Sequence, residues 1–388
     1  MENPLKNILK TGTDFFKKED SVIGIDIGSS FLKVVQLKKK HGKAVLETYG
    51  ELALGPYAGL SVGQATNLDV PKIAEALDDL LRESNVTTKN SALSIPLSSS
   101  LLSIMEMPDL DTKQLAKMIP VEARKYIPVP ITEVTLDWWI VPKTPQAIGV
   151  ETTTEPVVIP KKEKIKTKRV GKVDVLVVAI HNDVVSKYQE IIKASGLQNS
   201  FLELEVFSTT RSTFGSHASP VMILDVGAGS TKIAVVEYGI IKNQHIINKG
   251  SQDITVAISK SLGVDMKRAE ELKKEVGLKG SNEDEINKKV SEIAQLTTDH
   301  VFSEVSRVLL SYQRQHNKTI GQVILSGGGA LLKGLHEFAV ERLETEVVFA
   351  DPFSKIDAPA FLEPVLKEAG PEFAVSLGLA LRKLQEFE

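Results

Sequence analysis

Two stretches of the chain place an aspartate, a glycine and a lysine in the same order. VIGIDIGSSFLKVVQL (Val22–Leu37) sets Asp26, Gly28 and Lys33 where MILDVGAGSTKIAVVEYG (Met222–Gly239) sets Asp225, Gly227 and Lys232. In the first, Ile23, Ile25 and Ile27 alternate with Gly24, Asp26 and Gly28. On a strand, that carboxylate shares its face with two residues lacking side chains and stays open to a ligand. The small residues that follow are Ser29 and Ser30 in one copy, and Ala228, Gly229, Ser230 and Thr231 in the other. They suit a tight turn whose backbone N–H groups converge on an anion. Lys33 would return across the hairpin to the same anion. A carboxylate beside an anion nest makes chemical sense when a divalent cation lies between them. Mg2+ keeps most of its waters and takes one or two carboxylates plus phosphate oxygens, so Asp26 and Asp225 would hold it through water. Two such hairpins facing each other would clamp a polyphosphate from both sides. The plainer alternative is two unrelated hairpins whose aspartates only form turns; repetition in register weighs against it. GAGSTK is not a Walker loop, because Lys232 follows Thr231 and precedes Ile233.

A third element, QVILSGGGALLKGLHEFAVERL (Gln322–Leu343), runs a buried-type strand into Gly327, Gly328 and Gly329. A helix is expected to start at once, presenting free N–H groups and a positive dipole end to a ligand. The element misses the dinucleotide fingerprint, since Leu332 stands where the last glycine belongs, and a turn used only for close packing is the alternative. In AEELKKEVG, Glu270 and Lys273 share one helix face.

The elements that must position these groups follow from periodicity. Strand, turn and strand cover Val22 to Leu37, with a further strand around Ala44–Glu51 and a helix over Val70–Ser84 at helical spacing. Ser91–Leu97 and Leu101–Met107 read as a hairpin, and a helix around Asp111–Tyr126 is closed by the PVPI prolines. Strand Val134–Val141 leads into a Pro-, Thr- and Lys-rich stretch read as a flexible loop. Strand Val173–Ile180, helix Asp183–Ser195, a strand near Phe201–Glu205 and a helix through Thr213 precede the second hairpin. A helical run extends from about Ile254 to Gln315, and helix Pro371–Phe387 closes the chain. Residues 1–20 read as a basic arm with amphipathic character.

Composition narrows the classes. With 388 residues, the chain is long enough for two domains, and 42% hydrophobic with 25% charged residues is ordinary for a soluble globular protein. A net charge of -3 argues for neither nucleic acid nor an acidic lipid surface as the main partner. The absence of cysteine excludes disulfides, thiolate zinc sites and a cysteine nucleophile. No apolar run approaches the ~20 residues of a membrane span, and the N-terminus lacks a signal-peptide core, which reads as cytoplasmic.

The order of two Asp-Gly hairpins and a glycine-rich strand-to-helix turn resembles the actin-like ATPase superfamily, which includes actin, sugar kinases, chaperone ATPases and the division protein FtsA. The resemblance implies an α/β, actin-like ATPase fold: two duplicated domains around a nucleotide cleft, with a small α+β subdomain inserted in the first. LELEVFSTTRS then places Glu205 where chaperone ATPases carry a catalytic glutamate, although a helix-capping or salt-bridge role is the alternative. Asp26 and Asp225 are further candidates for positioning an attacking water. Glu270 and Lys273 match the pair that bonds ribose and base. FAVSLGLALRKL, with Ala374 and Gly378 four apart, resembles the closing helix. Of the two lysines, only Lys33 matches the phosphate ligand of the actin first loop by its spacing.

Within the superfamily the chain is similar to the PilM family of type IV pilus assembly proteins over nearly its whole length. The likeness runs through GIDIGSSFLKVVQL, SIPLSSSLLSIMEMP, EARKYIPVPITEVTLDWWI, VDVLVVAIHNDVVSKYQEIIKASGL, VILSGGGALLKGL and ADPFSKI. It implies an arm at 1–20, a first domain of 21–90 with 190–218 and 371–388, an inserted subdomain of 91–189 carrying the loop 142–172, and a second domain of 219–370. It also implies ATP and Mg2+ as cofactors, at most slow hydrolysis, and a place at the inner membrane through protein partners. The expected partner is the cytoplasmic N-terminal peptide of a PilN-like membrane protein, bound near Ser91–Ile140, where Tyr126, Trp138 and Trp139 offer aromatic anchors, with core packing the alternative for the two tryptophans. Pilus motor ATPases and self-association are further expectations; nucleic acid is not. The alternatives are an FtsA-like filament former and a small-molecule kinase of the same superfamily.

Overall fold

Each Asp-containing hairpin opens a five-stranded sheet, and the two sheets share one strand plan. The computed structural model describes residues 21–141, 171–215, 217–280 and 284–386. In the first sheet, β1 (Ser21–Ile27), β2 (Phe31–Lys40) and β3 (Lys43–Ala53) form an antiparallel meander. β4 (Asn90–Ile95) joins β1 in parallel and β8 (Gln198–Leu204) joins β4 in parallel, giving the order β3-β2-β1-β4-β8. The second sheet repeats this with β9 (Val221–Val226), β10 (Thr231–Glu237), β11 (Ile240–Ile247), β12 (Gln322–Ser326) and β13 (Glu346–Phe349), in the order β11-β10-β9-β12-β13. β1, β4, β9 and β12 have no exposed residue and are mostly buried, as strands covered on both faces are.

Between β4 and β8 lies a separate unit, Leu97–Tyr188. Its three-stranded antiparallel sheet has the order β5-β7-β6, built from β5 (Ser100–Pro108), β6 (Val134–Ile140) and β7 (Lys172–His181). One face packs Met105, Met107, Val175, Val177 and Ala179 against Leu115, Ile119 and Ala123 of helix α2 (Thr112–Ala123), which Asp111 caps through the Gln114 amide. The expected hairpin of Ser91–Leu97 with Leu101–Met107 is not formed. β4 is an interior strand of the first sheet and β5 pairs with β7. Pro96 and the 3-10 turn Leu97–Ser99 break the ladder between them, and strand pattern alone carries no information on a distant partner. The first sheet therefore keeps residues 91–95, which the expected boundary had given to the inserted subdomain. The arm 1–20 and the expected loop, apart from Gly171 and Lys172, lie outside the described residues; Lys172 begins β7.

Helix α1 (Val70–Glu83) follows its prediction: Asp69 caps the Lys72 amide, and Ile73, Ala74, Ala76, Leu77, Leu80 and Leu81 are buried. Helix α3 (Asn182–Ala194) precedes β8, and α4 (Glu205–Thr213) follows it directly. The run expected from Ile254 to Gln315 is three helices, α5 (Ser251–Leu262), α6 (Met266–Val276) and α7 (Glu285–His316), with Gly263 and Gly277 ending the first two. After Gly327–Gly329 the expected helix does not start at once. A 3-10 turn, Gly328–Leu331, comes first, and α8 (Leu335–Leu343) begins only after Gly334. The glycine turn therefore does not offer the dipole of an α-helix N-terminus. Helix α9 (Glu363–Ala369) and the 3-10 turn Gly370–Phe373 lead to the closing helix α10 (Ala374–Gln385). Its close approach depends on missing side chains at two contacts: a Cβ on Gly24 would lie 1.9 Å from the Ser376 carbonyl oxygen, and one on Gly378 1.9 Å from that of Ser208. Buried Glu203 locks the same region, accepting two bonds from Arg211 of α4 (2.7 and 2.8 Å) and one from Arg382 of α10 (2.5 Å).

Candidate functional site

The two hairpins have the same internal geometry. In β1–β2, Asp26 stands directly opposite Lys33; in β9–β10, Asp225 stands directly opposite Lys232. The Gly28 amide donates to the Phe31 carbonyl at 3.0 Å, and the Gly227 amide donates to the Ser230 carbonyl at 3.0 Å, closing equivalent turns. The turns face one another, since a Cβ on Gly229 would lie 3.5 Å from the Ser29 hydroxyl. Between them opens a cavity of about 370 Å3, within the size range of ligand pockets.

Most of the residues proposed from sequence reach this cavity. Asp26, Gly28, Ser29, Ser30 and Lys33 line it from the first sheet, and Asp225, Gly227, Ala228, Gly229 and Ser230 from the second. Glu205, Glu270, Lys273, Gly327, Gly328 and Gly329 complete the wall. Thr231 does not contribute: it is fully buried and donates to the Lys249 carbonyl at 2.9 Å, which braces the turn from behind. Gly327, which follows Ser326, the β12 partner of Asp225, also closes on Asp225 in space. With φ at 83°, a Cβ there would fall 2.3 Å from the Asp225 carboxylate and 2.6 Å from the Val226 carbonyl. The glycine-rich turn and the second hairpin are thus one packed unit.

The charges around the two aspartates differ. Asp26 accepts from the Ser94 hydroxyl at 2.7 Å. Burial pushes its carboxyl above the ordinary range, with Asp225 adding to the shift, while Ser94, Lys33 and Lys232 oppose it. Asp225 instead meets the Lys232 ammonium at 3.4 Å, and the same ammonium lies 3.2 Å from Glu205, the first residue of α4. Burial alone would lower the pKa of Lys232; Glu205, Asp225 and Asp26 together hold it above the usual lysine value. Lys33 pairs with Glu372 (3.6 Å) and Glu51 (3.9 Å). Burial, followed by the Glu372 charge, raises the Glu51 carboxyl.

On the far side of the cavity, Lys273 pairs with Glu270 at 2.6 Å and donates to the Thr255 hydroxyl at 3.1 Å, while Thr255 donates to Glu270 at 2.6 Å. Burial lowers the Lys273 pKa against the pull of Glu270. The Ala65 amide donates to Gln252 at 2.7 Å, joining the segment after β3 to α5. Glu51, Glu372, Lys274, Lys333 and Ser94 escaped the sequence reading. Glu51 and Glu372 lie in no motif and arrive through long-range packing, whereas Lys274, Lys333 and Ser94 sit inside the quoted stretches AEELKKEVG, QVILSGGGALLKGL and SIPLSSSLLSIMEMP, where local spacing does not mark them. Lys232 belongs to the repeat, but only Lys33 matches the phosphate ligand of the actin first loop, so the sequence does not mark Lys232 as a site residue.

Acidic groups on the wall (Asp26, Glu51, Glu205, Asp225, Glu270, Glu372) outnumber basic ones (Lys33, Lys232, Lys273, Lys274, Lys333) by one. A polyphosphate entering such a wall needs every available positive charge. No group of three or more His, Cys, Asp or Glu among the described residues is placed to hold a metal ion. That donor set fits Mg2+ taken with phosphate oxygens and water better than an ion caged by protein alone. No helix among the described residues is long and apolar enough to cross a membrane.

With this geometry in place, comparisons with known proteins identify the fold. The chain superposes on the PilM-PilN type IV pilus biogenesis complex with a TM-score of 0.75 and 23% identity, covering 94% of this chain and 98% of that one. It is similar to the ethanolamine utilization protein EutJ of Carboxydothermus hydrogenoformans, with a TM-score of 0.51 and 14% identity over 93% of this chain and 89% of that one. In sequence it is 22% identical over 360 residues to the cell division protein FtsA of Bacillus subtilis (strain 168), covering 85% of this chain and 78% of that protein. The duplicated sheets are those of an actin-like ATPase fold. A family model described as type IV pilus assembly protein PilM matches residues 24–166 and 161–384. That match spans the strands of both sheets and the Leu97–Tyr188 unit, and the protein belongs to the PilM family of type IV pilus assembly proteins.

Proposed function

We propose that the cleft binds ATP with Mg2+ and that the bound nucleotide sets the protein's hold on the cytoplasmic N-terminal peptide of a PilN-like inner-membrane protein. The setting is the assembly platform of a type IV pilus, or of a related type II secretion or competence system, on the cytoplasmic side of the inner membrane. The observation that carries this reading is the convergence of both Asp-Gly hairpins and the Gly327–Gly329 turn on one cavity. In it, the turns at Gly28–Ser30 and Gly227–Ser230 cradle phosphates, Lys33 supplies charge to them, and Gly327–Gly329 lets the nucleoside approach the backbone. Glu270 accepts from ribose hydroxyls and Lys273 holds it in place. Mg2+, when bound, neutralises phosphate charge, with Asp26 and Asp225 as the acidic groups facing it. Glu205 is the group nearest to the role of orienting a water, and its pairing with Lys232 suits slow turnover. Nucleotide in the cleft favours one population of the two halves over another, which is how a clamp passes its state to a partner.

Tyr126 and Trp139, both exposed on the Leu97–Tyr188 unit, are the aromatic anchors offered to the peptide; Trp138 packs into that unit's core. Calorimetric titration of ATP with Mg2+ is expected to show binding that weakens sharply in Asp26→Ala and Asp225→Ala. Unchanged affinity in both variants would sink the site assignment. A labelled PilN-like peptide should bind with an affinity that changes between ATP and nucleotide-free conditions; equal or absent binding removes the partner half of the proposal. The FtsA likeness favours a second reading, an ATP-dependent filament former. Pelleting of the protein with ATP but not without it would support that reading.

A further inference from the structure

Hairpins identical in register use their lysines differently. Lys33 is drawn toward Glu372 and Glu51 at 3.6 and 3.9 Å, whereas Lys232 is lodged between Glu205 and Asp225 at 3.2 and 3.4 Å. We propose that Lys232 is the resident cation of the second hairpin, filling the place between Asp225 and Glu205 from which a divalent ion would otherwise be held. The divalent ion of a bound nucleotide then engages the protein through Asp26, while the phosphates meet Lys232 directly. The inference rests on the nucleotide reading of the cleft and changes what each aspartate does in it.

Four observations support it. The Lys232 ammonium already neutralises the carboxylates that a hydrated ion would need, and like charges do not share one such position. Its place is imposed by the fold: Lys232 is the cross-strand partner of Asp225, and its side chain is only 18% exposed. It also abuts the phosphate-facing turn, since a Cβ on Gly227 would come within 3.4 Å of its Nζ. Asp26 takes a neutral donor instead, the Ser94 hydroxyl at 2.7 Å, with Lys33 and Lys232 acting on it only as nearby charges, so an incoming cation can approach it directly. Glu205 becomes a positioning residue that anchors the lysine.

The test measures ATP affinity of the full chain by calorimetry, once in excess Mg2+ and once in excess EDTA. Wild type is expected to bind in both, more tightly with Mg2+. Asp26→Asn should shrink the Mg2+-over-EDTA affinity ratio by at least about tenfold. Asp225→Asn should weaken binding in both buffers alike, keeping the ratio within about threefold of wild type. Lys232→Gln should bind at least about tenfold more weakly in EDTA and show a larger ratio, because Asp225 becomes available to metal. Lys232→Arg should restore the wild-type pattern. Lys232→Gln leaves two buried carboxylates unneutralised, so the double variant Lys232→Gln/Glu205→Gln serves if the single one does not fold. The inference is overturned if Asp225→Asn collapses the ratio as Asp26→Asn does. Metal-free binding of wild-type strength in the lysine variant, or no wild-type binding in EDTA, overturns it equally. Wild type binding ATP in neither buffer removes the nucleotide reading itself.

Discussion

The first and second Asp-Gly hairpins have the same strand register and the same turn closure, yet the aspartate of one is bonded by a hydroxyl and that of the other by an ammonium. Duplication therefore preserved the scaffold and left the electrostatics free to diverge. A backbone pattern is set by residues near in sequence. The surroundings of a charged side-chain tip are set by whatever the fold brings against it, and in these two halves different segments arrive. Ser94 of β4 reaches Asp26, while its counterpart Ser326 on β12 donates to the Pro371 carbonyl instead, at 3.2 Å. The space it leaves at Asp225 is taken by Gly327 and Lys232.

The largest expected effect comes from Gly327→Ala. A β-carbon there meets both Asp225 and the Val226 backbone in a left-handed conformation, at a cost of about 2–4 kcal/mol from overpacking and strain. Chemical denaturation should show it, and an unchanged midpoint would mean that the second hairpin and the glycine turn are not one packed unit.

Asp225→Asn comes next. It breaks one arm of a buried ion pair and is expected to cost about 1–3 kcal/mol, read as a lower Tm of the nucleotide-free protein. Asp26→Asn should move Tm the other way by a few degrees at neutral pH. The sign follows from linkage: with the Asp26 pKa raised by burial, its contribution to stability is full below the unfolded value and is lost as pH rises through the folded one. A neutral amide removes that loss, so the gain over wild type should shrink as the pH is lowered below the carboxylate range. Equal signs for the two asparagine variants would break the comparison between the hairpins.

The smallest effect belongs to Glu51→Gln. Its side chain is 42% exposed and 3.9 Å from Lys33, so removing it should free that lysine and strengthen ATP binding by at most about fivefold. A loss of affinity would show that Glu51 positions Lys33 for the phosphates rather than competing for it.

Much of this site was legible in the chain. Alternating Ile with Gly and Asp, then small residues, then a returning strand, describes one hairpin and, read twice, a pair. The Gly327–Gly329 turn follows from local spacing, Glu270 with Lys273 from a shared helix face and the family resemblance, and all of them line the cavity. Less legible were the elements whose meaning depends on a distant partner. β4 looked like half of a hairpin with β5 because both are short apolar runs joined by a turn, yet it sits inside the first sheet between β1 and β8. The glycine turn looked like the start of a helix, but Gly334, with φ at 84°, delays α8.

What the amino-acid sequence determined by itself was the scaffold: two hairpins in which a lysine seven residues after an aspartate must be its cross-strand partner, because a tight turn joins the strands. What only the tertiary structure decided was the use of those lysines. Glu205 begins the helix after β8, Glu51 comes from β3 and Glu372 from the turn before the closing helix. Ion pairing falls off over a few ångströms, so which carboxylate captures which ammonium depended on packing among segments far apart in the chain.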